Sequence, residues 1–285
     1  MIEHPDFTAV FSNGRSWGFF NLDKASFLDK FFKIIDLSPG SDHCDGKVVL
    51  ANSARLAGIS ISSDAQFIHY KDVPLLAFYS FEQLNFFFFY DQTEGLKINR
   101  VVQLSLAPLI AVTHRDLGIC LHAALIETPS GGVLLVGASG AGKTTCCSRL
   151  LSGWRAWSDD MTMVLPSSEF EYFAHPLPTF SRLDLNISHP CWNLQKSISV
   201  KAIFFIDQGD SDSIQMVGKG QAAALLFQHE PKIYSRIFRN FPARHRLKNN
   251  ISRFESAYKL SEHIPCYKLK ISLKGHFWNL INEVL

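Results

Sequence analysis

The segment Gly137-Ala138-Ser139-Gly140-Ala141-Gly142-Lys143-Thr144 satisfies G-x-x-x-x-G-K-[ST] at every fixed position, a pattern whose chemistry is the cradling of phosphate. Its glycines let consecutive backbone N–H groups close around phosphate oxygens, and a helix starting there adds the positive end of its dipole. In such a loop Lys143 reaches the β- and γ-phosphates, the hydroxyl of Thr144 ligates Mg²⁺, and Thr145 completes the nucleotide-binding set. A phosphate loop binds a nucleotide without naming the reaction. That depends on which carboxylate serves the metal and which group activates the attacking atom.

Two sets of carboxylates compete for that role. Asp159-Asp160 follows Lys143 by fewer than 20 residues, after a short segment, 154–157, that reads as a strand beside the phosphate-loop strand. Adjacent carboxylates can divide the labour, one holding Mg²⁺ and the other taking a proton from an attacking hydroxyl. Asp207 ends the apolar run 202–206 and would serve a hydrolase that uses a single metal-side aspartate. His122 is a third piece, able to contact the γ-phosphate or the metal, or to steady the base.

Positioning these groups requires a strand over 119–127, a turn at 129–132, a strand over 133–136 entering the loop, and a helix over 145–151. Pairing Thr128 with Val133 would set His122 level with Ser139, and a one-residue slip would turn it to the opposite face. A tight hairpin forces antiparallel pairing, so the sheet is expected to be mixed. The first 110 residues read as short strands (7–11, 18–21, 47–52, 67–70, 75–79 and 84–90) with one helix over 26–35 and a second over 101–117. The five aromatics 86–90 read as a buried strand. The expected architecture is α/β: a strand-rich α+β region over 1–110, of unassigned role, and a phosphate-loop domain on a mixed sheet over 111–285. A last strand over 267–273 and a helix over 275–285 complete it.

Composition limits the partners. The chain has 285 residues with 28 Lys+Arg against 26 Asp+Glu, so no concentrated positive charge argues for nucleic acid or an anionic membrane surface. No apolar run reaches the roughly 20 residues that span a bilayer. The six cysteines show no metal-ligand spacing and read as free thiols; with no secretory pattern at Met1 to Asp6, a cytoplasmic location is expected. Homo-oligomerisation is compatible with the sequence. The basic stretch 232–248 (Lys232, Arg236, Arg239, Arg244, His245, Arg246, Lys248) suggests an amphipathic helix to Asn240, ended or interrupted by Pro242, that is either a solvated face or a docking surface for an acidic peptide. An arginine from it, or Arg182, could face the transferring phosphate.

An apolar strand with a histidine, a short turn, the phosphate loop, one helix and a double aspartate together resemble the HPr kinase/phosphorylase-like group, whose nucleotide core is related to that of phosphoenolpyruvate carboxykinase. The stretch from His122 to Val164 carries the resemblance. The following His175-Pro176-Leu177-Pro178-Thr179-Phe180-Ser181-Arg182 is similar to small relatives of the SynChlorMet cassette type. The resemblance implies a Mg²⁺- and ATP-dependent kinase acting on a Ser or Thr hydroxyl of a peptide or protein. It implies a catalytic role for Lys143, Asp159 as base, Asp160 as metal-side carboxylate, and His122 at the γ-phosphoryl group. Two departures exist: His122-Ala123 stands where the group has His-Gly, and no Glu-x-Arg-Gly-Leu-Gly signature follows, which argues against the HPr substrate and a reverse phosphorylase activity. A nucleoside-triphosphate hydrolase built on Asp207 and a nucleotide sensor without turnover are the alternative expectations.

Overall fold

Strand and helix signals resolve into two compact units in the computed structural model, which describes residues 4–41, 43–61, 65–70, 75–91, 101, 104–168, 171–178, 193–232, 234, 237–239 and 241–285. One unit is Met1–Val112 with Phe180–Gln195, the other Thr113–Thr179 with Lys196–Leu285. Both carry a mixed sheet.

In the first unit β1 (Phe7–Val10), β2 (Ser16–Asn21), α1 (Ser26–Ile34), β3 (Ser38–Pro39), β4 (Gly46–Asn52), β5 (Gln66–Tyr70), β6 (Leu75–Ser80) and β7 (Asn85–Tyr90) precede a short helix, α2 (Ala107–Val112). The sheet order is β3-β1-β2-β4-β7-β6-β5. The aromatic run forms β7, parallel to β4 and antiparallel to β6, and this interior position buries Phe86, Phe88, Phe89 and Tyr90 almost completely. Helix α1 buries Leu28, Phe31, Phe32 and Ile34, with the Phe32 ring 5.1 Å from that of Phe7 and 5.3 Å from that of Phe19. Gln195, distant in sequence, closes this unit: its amide oxygen accepts from the Val10 N–H at 3.0 Å, and its amide nitrogen donates to the Asp36 carbonyl at 3.0 Å. The helix expected over 101–117 is shorter than its pattern, since α2 gives way to a 3₁₀ turn over Thr113–Asp116 and Leu117 takes φ 56°. Residues 102–103 lie outside the described set.

The second unit contains β8 (Ile119–Leu121), β9 (Ala123–Thr128), β10 (Gly131–Val136), α3 (Lys143–Cys147), β11 (Arg155–Ser158), β12 (Met161–Ser168), β13 (Glu171–Leu177), β14 (Ile198–Gln208), β15 (Ser213–Met216), α4 (Lys219–Gln228), α5 (Ala243–His263), β16 (Cys266–Ile271) and α6 (Phe277–Asn282). Its main path runs β11-β9-β10-β14-β13-β12-β8, with β16 also paired to β14. β10, β14 and β16 are mutually parallel, so their carboxyl ends reach one edge. β9 is antiparallel to β10 and β11 to β9, which brings the start of β9 and the end of β11 to that same edge.

The central strands are apolar on both faces because helices cover both. Leu134, Val136, Ile203 and Phe205 pack with Ala222, Leu226, Ala257 and Leu260 of α4 and α5. Val133, Leu135, Ala202 and Phe204 pack with Cys146, Phe277, Trp278 and Ile281 on the other side. No helix among the described residues is long and apolar enough to cross a membrane.

Candidate functional site

The hairpin leading into the phosphate loop forms, with its register shifted from the expected one. Thr128 pairs with Gly131 and Ala123 with Val136, and the Gly137 N–H donates to the His122 carbonyl at 3.3 Å. His122 is therefore level with Gly137 rather than Ser139; the shift is two residues, which preserves the face. The Thr128 hydroxyl explains the tighter turn: it donates to the Gly131 carbonyl at 2.9 Å and accepts the Ser130 N–H at 3.2 Å.

The run 119–127 is two strands, not one. His122 occupies a bend at which the chain leaves β12 as partner and takes up β10 and β11. The antiparallel run makes the matching switch: β11 pairs with β9, and after Asp159-Asp160 β12 pairs with β8. Both crossings lie at the same level, and this is what brings a histidine and two aspartates together from positions nearly 40 apart in sequence. Two hydrogen bonds fasten the crossing: Thr162 Oγ1 donates to the Ala123 carbonyl at 3.1 Å and accepts from Ser158 Oγ at 3.0 Å. The strand expected beside the phosphate-loop strand thus pairs with β9 instead, one position further out.

The loop 137–144 turns tightly around glycines that side chains could not replace. A Cβ on Gly137 would lie 2.9 Å from that of Ala141, and Gly140 and Gly142 have φ of 85° and 106°, the left-handed region that glycine occupies without steric cost. The helix that follows begins at Lys143 and ends at Cys147, shorter and earlier than the span 145–151; the Ser148 hydroxyl donates to the Thr145 carbonyl at its end. Lys143 is 5% exposed, its Nζ donating to the carbonyls of Gly137 at 2.7 Å and Ala138 at 3.1 Å. Thr144 Oγ1 donates to Asp159 Oδ2 at 3.2 Å. Nδ1 of His122 lies 3.2 Å from Oδ1 of Asp160 without the alignment of a hydrogen bond, so that contact is electrostatic. Ala138, Ser139 and Gly140 present the exposed rim of the loop.

A family model described as SynChlorMet cassette protein ScmC matches residues 91–285. The chain belongs to this family. The match takes in every element from β8 to α6 and so the whole cluster around the loop of this ScmC-family chain. The comparison with curated proteins found no match.

Other groups anticipated in the sequence lie elsewhere. Asp207 is exposed at the end of β14 and accepts the N–H of Gln208 at 2.9 Å; Gln208, not singled out by its sequence context, reaches the loop, its amide nitrogen donating to the Gly140 carbonyl at 2.9 Å. Arg182 and Arg236 lie outside the described residues. Arg239, Arg244, His245, Arg246 and Lys248 are exposed, and Pro242 is the N-cap of α5; residues 233, 235–236 and 240 of the helix expected up to Asn240 lie outside the described residues. His229 is a further residue that sequence reasoning missed: its carbonyl accepts the His122 N–H at 2.8 Å, a main-chain contact with no sequence signal.

Burial pushes the His122 imidazole below the ordinary histidine range; Lys143, and to a smaller extent His229 and Lys232, push it the same way, while Asp160 opposes them. Because the folded chain holds this proton more weakly than the unfolded one, the group lowers stability as pH falls through about 6.5 toward its folded midpoint, and is without effect above that window. In a proton NMR titration His122 is expected to titrate below 6.5, and Lys143→Met to move its midpoint upward. An unchanged midpoint would show that the lysine charge does not reach the ring. Burial likewise lowers the Lys143 pKa, opposed by Asp160 and then Asp159.

Proposed function

We propose that this chain is a Mg²⁺- and ATP-dependent kinase of the HPr kinase-like type, transferring the γ-phosphoryl group to a Ser or Thr hydroxyl of a peptide or protein. The observation that carries the reading is the convergence of Lys143, Thr144, Asp159, Asp160 and His122 at one edge of the sheet. A loop with a single carboxylate would serve hydrolysis equally well; two carboxylates with different neighbours favour transfer to an acceptor that must lose a proton. Asp207 makes no described contact with the loop that favours the hydrolase alternative.

The donor set suits the metal. Mg²⁺ takes oxygen ligands, typically one or two protein carboxylates beside phosphate and water, and the Thr144 hydroxyl and Asp159 carboxylate already touch. Bound there, Mg²⁺ would neutralise phosphate charge. These contacts support Asp159 on the metal side and Asp160, paired with His122, as the acceptor's base, the reverse of the division implied by the resemblance. Lys143 would turn from the two loop carbonyls to phosphate oxygens, and the loop N–H groups would hold the chain of phosphates in line. His122, 3.2 Å from Oδ1 of Asp160, would keep that carboxylate aimed at the acceptor, donating to it once the ring turns into line.

The test is incubation with γ-labelled ATP and Mg²⁺ over a library of Ser/Thr peptides, for the wild type, Asp159→Asn and Asp160→Asn. Labelled peptide from the wild type is expected, reduced roughly 10²- to 10⁴-fold in Asp160→Asn as for loss of a general base, with ATP binding retained. Free phosphate alone, indifferent to Asp160, would replace the kinase reading with a hydrolase; binding without turnover on any peptide would favour a sensor.

A further inference from the structure

The carboxyl ends of three parallel strands open onto a cavity on the flank of the loop away from Asp159-Asp160. β10 ends in the loop itself, β14 in Gln208-Gly209-Asp210, and β16 in Ile271-Ser272-Leu273. The cavity holds about 430 Å³ and is lined by Gly142, Thr145, Arg149, Asp210, Ile271 and Leu273 among others, within the range of small-molecule sites, roughly 300–1,000 Å³. The carboxyl edge of parallel strands is where open α/β sheets place ligands.

The walls are built. Arg149 donates to the Ser272 carbonyl at 3.0 Å and the Gly275 carbonyl at 2.6 Å and lies over the Phe277 ring at 5.1 Å, so its guanidinium is fixed as wall. Gln208 ties the end of β14 to the loop at Gly140. The Asp212 carboxylate accepts the Ser272 N–H at 2.7 Å, joining the turn after β14 to the end of β16. Ile271 and Leu273 supply apolar surface and Asp210 an acceptor at the rim.

We propose that this cavity takes the base of a purine nucleotide, with the Asp210 carboxylate accepting from a base N–H. The assignment rests on the reading of the loop as a phosphate site. The strand order gives the orientation: the acidic pair lies on the β9–β11 side of β10 and the cavity on the β14–β16 side. A polyphosphate whose terminal group faces Asp159 and Asp160 therefore points its nucleoside end into the cavity. Guanine offers a carboxylate two adjacent N–H donors and adenine one amino group, so Asp210 is the residue that would weigh one against the other.

The experiment is calorimetric binding of ATP, GTP and inorganic tripolyphosphate, each with Mg²⁺, to the wild type, Ser272→Phe and Asp210→Ala. Either nucleotide is expected to bind the wild type at least tenfold more tightly than tripolyphosphate. Ser272→Phe should remove that advantage and leave tripolyphosphate binding unchanged, while Asp210→Ala should change the ratio of GTP to ATP affinity at least threefold. Nucleotide and tripolyphosphate binding with equal affinity, or nucleotide affinity unmoved by both substitutions, would overturn the base site while leaving the phosphate loop standing. Failure of all three ligands to bind the wild type would instead overturn the phosphate reading, and this proposal with it.

A separate observation concerns α5. Leu247, Ile251, Phe254 and Tyr258 are 61%, 60%, 43% and 39% exposed, spaced 4, 3 and 4 apart along one face of this 21-residue helix, the spacing of a coiled-coil seam. Lys248 and Glu255 flank the seam on the same side. Antiparallel pairing of two copies about the midpoint of Ile251 and Phe254 sets Leu247 against Tyr258, Ile251 against Phe254, and Lys248 of each copy near Glu255 of the other. We infer that α5 pairs with a second copy of this chain. Light scattering with chromatography should show a dimer at micromolar concentration, weakened at least tenfold by Ile251→Glu or by Lys248→Glu alone, and restored when Glu255→Lys is added to Lys248→Glu. A monomer at 100-fold higher concentration, or a dimer indifferent to these changes, would overturn the inference.

Discussion

Lys143→Met is expected to weaken the binding of ATP or tripolyphosphate about 10- to 150-fold, from loss of charge-assisted hydrogen bonds worth about 1.5–3 kcal/mol. The same substitution should leave the melting temperature within a few degrees of the wild type. The ammonium is buried, and burial disfavours its charge; methionine fills similar space without that penalty. Against this, the Gly137 carbonyl loses the partner it now has at 2.7 Å, which costs about 1 kcal/mol. Calorimetry beside a thermal melt checks both halves. Unaltered binding would show that the loop does not hold phosphate, whatever its motif.

Arg253→Met is expected to destabilise the chain by about 3–5 kcal/mol at pH 8, the usual result of leaving one partner of a buried pair alone. Arg253 binds the Glu230 carboxylate with side chains that are 12% and 2% exposed, and its guanidinium lies 4.1 Å from the Tyr234 ring centroid. Burial pushes Glu230 up to about 7, with Arg253 pulling it back. The folded chain therefore keeps a proton that the unfolded chain releases near 4.5, and this group's contribution to stability falls as pH rises through about 4.5 to 7. Two consequences separate the pair from an ordinary packing defect. The cost of Arg253→Met should shrink at pH 5.5, where Glu230 is already protonated, and Glu230→Gln should be tolerated at pH 8, since it mimics the protonated acid. Urea denaturation at the two pH values decides this; equal costs at both would mean that Glu230 does not titrate in that window.

Local patterns in the sequence disclosed the loop, the hairpin and the aromatic strand, because each depends on neighbouring residues. Gly140 and Gly142 take their positive φ from within the loop itself, and 86–90 is too apolar to lie anywhere but inside a sheet. The crossing at His122 was not legible, since a bend between two strands costs the apolar pattern of 119–127 nothing: Leu121 and Ala123 are both buried on either side of it. The neighbours of Asp159 and Asp160 follow from that crossing, so their division of labour was equally hidden. Helix α5 was missed for a different reason. Four of its five large apolar side chains are exposed while Ala257 and Leu260 face the core, which leaves the pattern without a clear inner stripe.

The closure of the first unit by Gln195 bears on the order in which the chain is made. Residue 112 leaves the ribosome 83 residues before residue 195 (195 − 112), an interval of about 4 to 17 s at typical rates of synthesis. Throughout it, the Val10 amide and the Asp36 carbonyl lack the partner that later joins them, and Leu194, fully buried in the finished chain, has not emerged. Meanwhile β8 to β13 become available to pair. The two units thus mature in alternation: a nascent first unit must wait while β8 to β13 of the second are already being laid down, and a chain halted soon after residue 112 leaves the Val10 amide and the Asp36 carbonyl without the side chain that later joins them.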